Sequence, residues 1–329
     1  MQFFVASYVD ILEHSAAVIG WRQTYDQLEC GRPHSTLTQL CGDGYQMFLE
    51  RIDKRVVQRG ISPDGRLCIG VAWQGATFEP ADWAEAPGVC RVALLRNGEP
   101  FNLHMPAGAS ILAVNLDYQL FRAQAQTCLD DTQLRAIDEA SSIDVPMSVL
   151  SRVAVSLQDV LQQVARRHDE TPGSGGDHEL GERVMSAFME LFGGGRRDRT
   201  GRSRSLAVSN WLVKRSEELL FDQMATRLTV TDLCTRLKVS RRTLQNSFQV
   251  VTGTSPVEYL RGLRLNAARR RLTSTQSDAL RVGDIAAEVG FDHLSYFARH
   301  YRDLFGELPS HTRRLRGATA PQGQGIRQH

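Results

Sequence analysis

Two short stretches carry side chains of the kinds that read the edges of base pairs. Residues 241–246 are RRTLQN and residues 293–302 are HLSYFARHYR. In the first, Arg241, Arg242, Gln245 and Asn246 stand off an apolar stripe made by Leu244, Phe248 and Val251. In the second, His293, Ser295, Arg299 and Arg302 stand off the stripe of Phe297, Tyr301 and Leu304/Phe305. Arg offers paired donors that match O6 and N7 of guanine, while Asn and Gln offer a donor and an acceptor that match adenine. The chemistry implied is recognition of duplex DNA, with no bond made or broken. Such residues are also the ordinary solvated face of an amphipathic helix. Their occurrence twice, in register and in a basic part of the chain, favours the recognition reading.

The elements that must hold them are written twice as well. Val230, Asp232, Leu233 and Leu237 match Val282, Asp284, Ile285 and Val289 at an offset of 52 residues. Leu244, Phe248, Gly253 and Pro256 match Phe297, Tyr301, Gly306 and Pro309 at an offset of 53, so one residue is inserted in the turn. Each copy predicts a helix of about eight residues, a turn and a helix of about twelve, the layout of a helix-turn-helix. Asp232 and Asp284 fall in the first turn of the leading helices, and Ser240 and Asp292 suit N-caps of the trailing ones. Between the copies, 256–272 predicts a helix begun by Pro256, with Tyr259, Leu260, Leu263, Ala267 and Leu272 buried. Its length, roughly 25 Å, suits a rod between recognition helices serving major-groove faces ~34 Å apart. Arg264, Arg269, Arg270 and Arg271 on or near this rod have two readings: phosphate contacts, or internal pairs with Asp232 or Asp284.

The 329 residues allow about two domains. The net charge of +2 conceals a division: 24 Lys/Arg against 12 Asp/Glu from Arg196 onward (+12), and 15 against 25 before it (−10). A basic half invites a polyanion that the acidic half repels. The start of the chain lacks the basic region of a secretory signal, and no apolar run nears the ~18 residues needed to span a bilayer, so a cytoplasmic protein is expected. The six cysteines are scattered without a C-x-x-C pair, which suits reduced thiols and no zinc site.

Residues 36–117 alternate in period two, as in TLTQLC, YQMFLERI, RLCIGVAW, CRVALL and SILAVNLD, with Gly/Pro/Asp breaks between the runs. An antiparallel sheet or barrel is expected. In 148–167 the period lengthens, and Leu150, Val153, Leu157, Leu161 and Val164 form a helical seam. The seam suits either a helix lying on its own domain's sheet or a homodimer interface. The stretch 168–204 reads as a flexible linker carrying a short helix, and 317–329 as a disordered tail. Trp73 and Trp83, with Phe78, Glu79 and Asp82 nearby, suit a ligand-binding pocket or the core and rim of the sheet.

The last ~110 residues, through VTDLCTRLKVSRRTLQNSFQVVTGTSPVEYLRGLRLNAARRRL and VGDIAAEVGFDHLSYFARHYRDLFGELP, resemble the AraC/XylS family of bacterial transcription regulators. The resemblance covers about a third of the chain. It implies a helical module whose two helix-turn-helices dock on one face of DNA, with base reading by Arg242, Gln245 and Asn246 and by Ser295, Ala298 and Arg299. Thr312 stands where the family usually has an aromatic, so the end of the module is expected to pack less firmly. MPAGASILAVN (105–115) is similar to a cupin motif, with Ile111 where the metal-binding His belongs.

The expected fold is α+β: an N-terminal antiparallel β-rich, cupin-like sensor or dimerisation domain (1–167), then a linker (168–204). An all-α DNA-binding domain (205–316) with two helix-turn-helices joined by a linker helix completes it. The expected function is sequence-specific transcription regulation, of an activator type, without cofactor, metal or membrane. The expected partners are double-stranded DNA, RNA polymerase, a second copy of the chain and a small-molecule effector. The competing reading is a DNA-modifying or repair enzyme carrying the same targeting module. It needs a reactive cysteine in electropositive surroundings.

Overall fold

The computed structural model describes residues 1–74, 79–80, 88–170, 176–194, 196–197, 204–226, 228–274 and 280–312. The chain forms two compact units, one of Met1–Tyr25 with Pro33–Gly201 and one of Asp26–Arg32 with Arg202–His329.

The first unit begins with β1 (Gln2–Tyr8), α1 (Ile11–Ala17) and β2 (Arg22–Gln27), the last two residues of which belong to the second unit. There follow β3 (Ser35–Cys41), β4 (Tyr45–Ile52), β5 (Val56–Ile61), β6 (Arg66–Gln74), β7 (Glu79–Pro80), β8 (Val89–Arg96), β9 (Pro100–Met105) and β10 (Ala109–Asp117). After them come α2 (Tyr118–Cys128), α3 (Asp131–Glu139), β11 (Ser142–Pro146), α4 (Met147–Glu170), α5 (Asp177–Gly194) and β12 (Arg196–Arg197). The main sheet runs β1-β3-β4-β10-β6-β8-β11-β12, with β7 against β6, and β2-β5-β9 form a second sheet. Every strand pair whose register is resolved is antiparallel.

The period-two pattern sorts side chains between the two faces of the main sheet. Met47, Ile69, Val71, Leu112, Val114 and Leu116 join one core with Phe121 of α2, Leu157 of α4 and Phe188 of α5. The intervening Ile52, Ala72 and Ile111 pack with Tyr25, Val56 and Met105 of the smaller sheet. Polar groups share that second interior. Glu50 accepts from Tyr25 Oη at 2.9 Å and Gln58 Nε2 at 2.5 Å and bonds His14 Nε2 at 2.9 Å, with all four side chains buried.

The seam of α4 is consumed in the first core. Leu150, Val153, Leu157, Leu161 and Val164 are buried beside residues of α5 and the sheet. The lying-helix alternative is the one realised, and these five are unavailable as a homodimer interface. Within the stretch read as linker, α5 has eighteen residues and contributes Leu180, Val184, Phe188 and Leu191 to the same core. Residues 317–329 lie outside the described residues.

The second unit contains α6 (Arg204–Asp222), α7 (Val230–Leu237), α8 (Arg241–Thr252), α9 (Pro256–Thr273), α10 (Val282–Glu288) and α11 (Leu294–Phe305). Both trailing helices end in a left-handed glycine, Gly253 (φ 66°) and Gly306 (φ 72°), whose N–H donates to the carbonyl of Gln249 or Arg302. A side chain with a Cβ would be strained there, which accounts for one half of the repeated Gly-x-x-Pro. The other half starts the next helix in the first copy, where Pro256 opens α9 behind a Ser255/Glu258 capping box.

α9 is buried nearly all round and acts as the spine of the unit. Tyr259, Leu260, Leu263 and Leu272 are buried as expected, but so are Arg264, Asn266 and Arg269. Residues 26–32 complete its surroundings. Gln27 N donates to Asn266 Oδ1 at 2.9 Å, and Asn266 Nδ2 returns a bond to Gln27 O at 2.7 Å. Asp26 pairs with Arg270, and Gly31 N donates to Leu304 O at 3.0 Å.

Candidate nucleic-acid interface

Each trailing helix, α8 and α11, follows a leading helix whose start is fixed by local hydrogen bonds. At α7, Thr229 N donates to Asp232 Oδ2 at 2.8 Å and Asp232 N donates to Thr229 Oγ1 at 3.2 Å. Thr229 Oγ1 also donates to Asp232 Oδ2 at 2.7 Å, and this bond, followed by that from Thr229 N, holds the Asp232 carboxyl below the usual carboxylate range. At α10, Asp284 Oδ2 accepts from Arg281 N at 2.8 Å. Both aspartates are thus engaged in capping.

On α8, Ser240 Oγ caps the helix by accepting from Thr243 N at 3.1 Å. Leu244, Ser247, Phe248 and Thr252 turn inward, and the Phe248 ring meets Tyr259 of α9 edge-on at 5.4 Å. Arg241, Arg242, Gln245 and Asn246 are all exposed. On α11, Phe297, Tyr301, Leu304 and Phe305 turn inward, while His293, Ser295, Arg299 and Arg302 are exposed and Ala298 is half-buried. The N-cap of α11 is His293 rather than Asp292, one residue later than expected, and it makes no side-chain capping bond. The residue inserted into the second turn accounts for the shift.

Four of the five arginines of α9, all but the half-buried Arg261, answer the question the sequence left open. Arg269 Nη1 donates to Glu307 Oε1 at 2.7 Å and Tyr301 Oη at 3.3 Å, with its guanidinium 4.8 Å from the Phe305 ring centre. Arg264 donates to the carbonyls of Thr226 (2.8 Å), Gly290 (3.1 Å) and Val289 (3.3 Å). Arg271 Nε meets Glu288 Oε2 at 3.2 Å, and Arg270 meets Asp26. All four are internal braces, though their partners differ from the Asp232 and Asp284 anticipated. By contrast, among the described residues Arg241, Arg242 and Arg302 enter no ion pair. Four spine arginines are therefore structural, whereas those of α8 and α11 are exposed.

Thr312 does not loosen the end of the unit. It is buried, donates to Glu307 Oε1 at 2.6 Å and lies 2.9 Å from Tyr301 Oη, extending the Arg269 network. Burial pushes the Tyr301 phenol up to about 12, so it stays protonated in this setting.

Elsewhere the site candidates fare differently. Trp73 is 4% exposed and belongs to the core under the helices, away from the interior between the sheets. Trp83 lies outside the described residues. Burial pushes the thiols of Cys68 and Cys90 up to about 12 and about 11, the reverse of what a reactive cysteine needs. Among the described residues no group of three or more His, Cys, Asp or Glu is arranged to hold a metal ion, and no helix is long and apolar enough to cross a membrane.

Two residues of α11 escaped the sequence reading: Leu294 and Tyr296 are 51% and 44% exposed. For Tyr296 the available signal was its ring at a position off the Phe297/Tyr301/Leu304 stripe, whereas Leu294 continues that stripe to the start of the helix.

Residues 233–315 match a helix-turn-helix domain family. The chain is 33% identical over 132 residues to the XylDLEGF operon transcriptional activator of Pseudomonas putida, covering 40% of this chain and 39% of that protein. It is 31% identical over 109 residues to XylDLEGF operon transcriptional activator 2 of the same organism, covering 33% of this chain and 69% of the relative. Among solved structures, a transcriptional regulator from Chromobacterium violaceum, described as an AraC-type DNA-binding domain-containing protein, aligns at 30% identity. That alignment covers 36% of this chain and 99% of the other, with a TM-score of 0.31.

Proposed function

The chain belongs to the AraC/XylS family of transcription regulators, and from that premise we propose that it binds one promoter face sequence-specifically through α8 and α11. The observation that carries the proposal is the sorting of cations. Arg264, Arg269, Arg270 and Arg271 of the spine are consumed inside the unit, whereas Arg241, Arg242, Arg299 and Arg302 are left exposed on two helices of the same length, each ended by a left-handed glycine. Gln245, Asn246 and Ser295 stand among them and supply the hydrogen bonds that distinguish bases. Arg241 and Arg302 supply backbone charge, His293 sits at the mouth of α11, and Arg242 and Arg299 read bases.

The first unit is the place for an effector or for self-association, and RNA polymerase is the partner that activation requires. Because the α4 seam is covered by its own chain, the proposed reading needs only one copy of the protein to place both helices.

The test is selection of genomic fragments by the purified full chain at physiological salt. The reading expects a shared motif with two blocks about one helical turn apart. Retention of fragments with no common motif refutes it.

A further inference from the structure

The edge of a sheet presents a row of backbone N–H and C=O groups to which another chain can pair, and folded proteins blunt such edges. Of the four strands that end the two sheets, three are blunted. β12 is two residues long, and both are arginine. β2 opens with Arg22 and carries Asp26, while β9 opens with Pro100. The fourth is β1, which pairs with β3 alone among the described residues. Its seven residues read QFFVASY, without a charge or a proline. Its pairing is unbroken from Gln2 opposite Cys41 to Tyr8 opposite Ser35, so no bulge turns the edge away.

Side chains on both faces hold this strand in place. Phe3 packs on the core under the helices, and Phe4 and Tyr8 pack on the cluster of Val18, Leu37 and Phe48 across the sheet. Val5, at the middle of the strand, is 61% exposed. A two-fold axis normal to the sheet at Val5 sets an antiparallel copy of β1 alongside, with all seven residues overlapping. Val5 then faces the partner's Val5, Phe3 faces the partner's Ser7, and Phe4 faces the partner's Ala6. Large side chains meet small ones on both faces of the sheet, and no like charges are opposed.

We propose that the free edge of β1 is a self-association surface, on which a second copy of the chain adds its own β1 antiparallel across a two-fold axis at Val5. The two main sheets join into one, and the contact closes at two copies because each edge is used once. A neutral strand gives an acidic or basic peptide nothing to pair with, whereas its own sequence fits it residue by residue. The inference rests on the self-association reading of the first unit and names its surface, in place of the α4 seam that the chain covers itself. DNA reading by α8 and α11 does not depend on it.

The experiment reads the mass of the full-length chain by sedimentation equilibrium over a concentration series. The parent is expected to reach the mass of two chains. In Val5→Lys two ammonium groups meet at the axis, and the dimer is expected to weaken by about ten-fold or more. The circular dichroism of that variant should match the parent, because Val5 is exposed. Oxidation with copper phenanthroline reads the register. With the exposed Cys30 and Cys128 changed to Ser, Val5→Cys is expected to give a disulfide-linked dimer, since Cβ atoms directly opposite lie about 4.5–5.5 Å apart. Ser7→Cys in the same background is expected to stay unlinked, its two copies standing roughly 13 Å apart along the ladder. A parent that remains monomeric at every concentration overturns the proposal. So does a dimer that Val5→Lys leaves intact, a Val5→Cys chain that does not crosslink, or a Ser7→Cys chain that crosslinks as readily. Selection of genomic fragments by the parent decides the DNA reading separately, so either reading can fail without the other.

Discussion

Arg269 and Arg299 lie on neighbouring helices of one basic unit, and their surroundings give them opposite work. Arg269 is buried against Glu307, Tyr301 and Thr312. Replacing it with Met leaves the Glu307 carboxylate without its main partner, at a cost of about 3 kcal/mol in stability. The salt dependence of DNA binding by the folded variant should match the parent, since no phosphate contact is lost; a slope flatter by about one would place Arg269 on DNA. Arg299→Ala should leave the melting temperature nearly unchanged. It should weaken the cognate site by ~1–3 kcal/mol and relax preference at one base position, read by repeating the selection with the variant. His300 adds a pH dependence. Burial and the nearby Arg261 and Arg299 lower its pKa, and its Nε2 has no hydrogen-bond partner among the described residues. The unfolded chain then takes up the proton first. Stability from this residue is complete above the ordinary His value of ~6.5 and is lost as pH falls through the lower folded value. Thermal melts between pH 7 and 5 should show that decline, and His300→Gln should reduce it.

At the scale of elements, the two copies solve one turn with different residues. α7 ends on Lys238 in the left-handed region (φ 55°), whereas the turn after α10 uses Gly290 (φ 80°). A Cβ on Gly290 would lie 2.0 Å from Arg264 Nη1 and 2.9 Å from Met224 O. Gly290→Ala should therefore destabilise the second helix-turn-helix by ~2 kcal/mol or more, whereas Lys238→Gly should be close to neutral in the same denaturant titration. The difference explains what was legible in the sequence. Both helix pairs could be read because their apolar spacing, caps and terminal glycines are local and occur twice. The strands β3, β4, β6, β8 and β10 were likewise legible from strict alternation. β2 was not: it ends in Asp26 and Gln27, whose burial is made tolerable by Arg270 and Asn266, more than two hundred residues away. The arginines of α9 were ambiguous for the same reason, since Glu307, Glu288 and Asp26 come near them only through tertiary structure. Tyr296 was missed because an amphipathic pattern directs attention to polar outward positions, and Leu294 because it falls in line with the buried Phe297 and Tyr301.

For the whole molecule, the DNA-binding unit is discontinuous in sequence, since it includes residues 26–32. A fragment of residues 202–329 would leave the Asn266 side chain and Arg270 without Gln27 and Asp26. It should melt below the corresponding transition of the full chain, and Asn266→Ala should lower the full chain's stability by about 2 kcal/mol. A fragment as stable as its counterpart in the full chain would show that the segment contributes nothing. The arrangement also has a consequence in time. Gln27 leaves the ribosome 239 residues before Asn266, a delay of about ten to fifty seconds at ordinary rates of bacterial synthesis. Through that interval the early segment waits without its partner. A nascent chain halted before α9 never supplies the Asn266 side chain that accepts from Gln27, so premature termination yields a second unit without its spine.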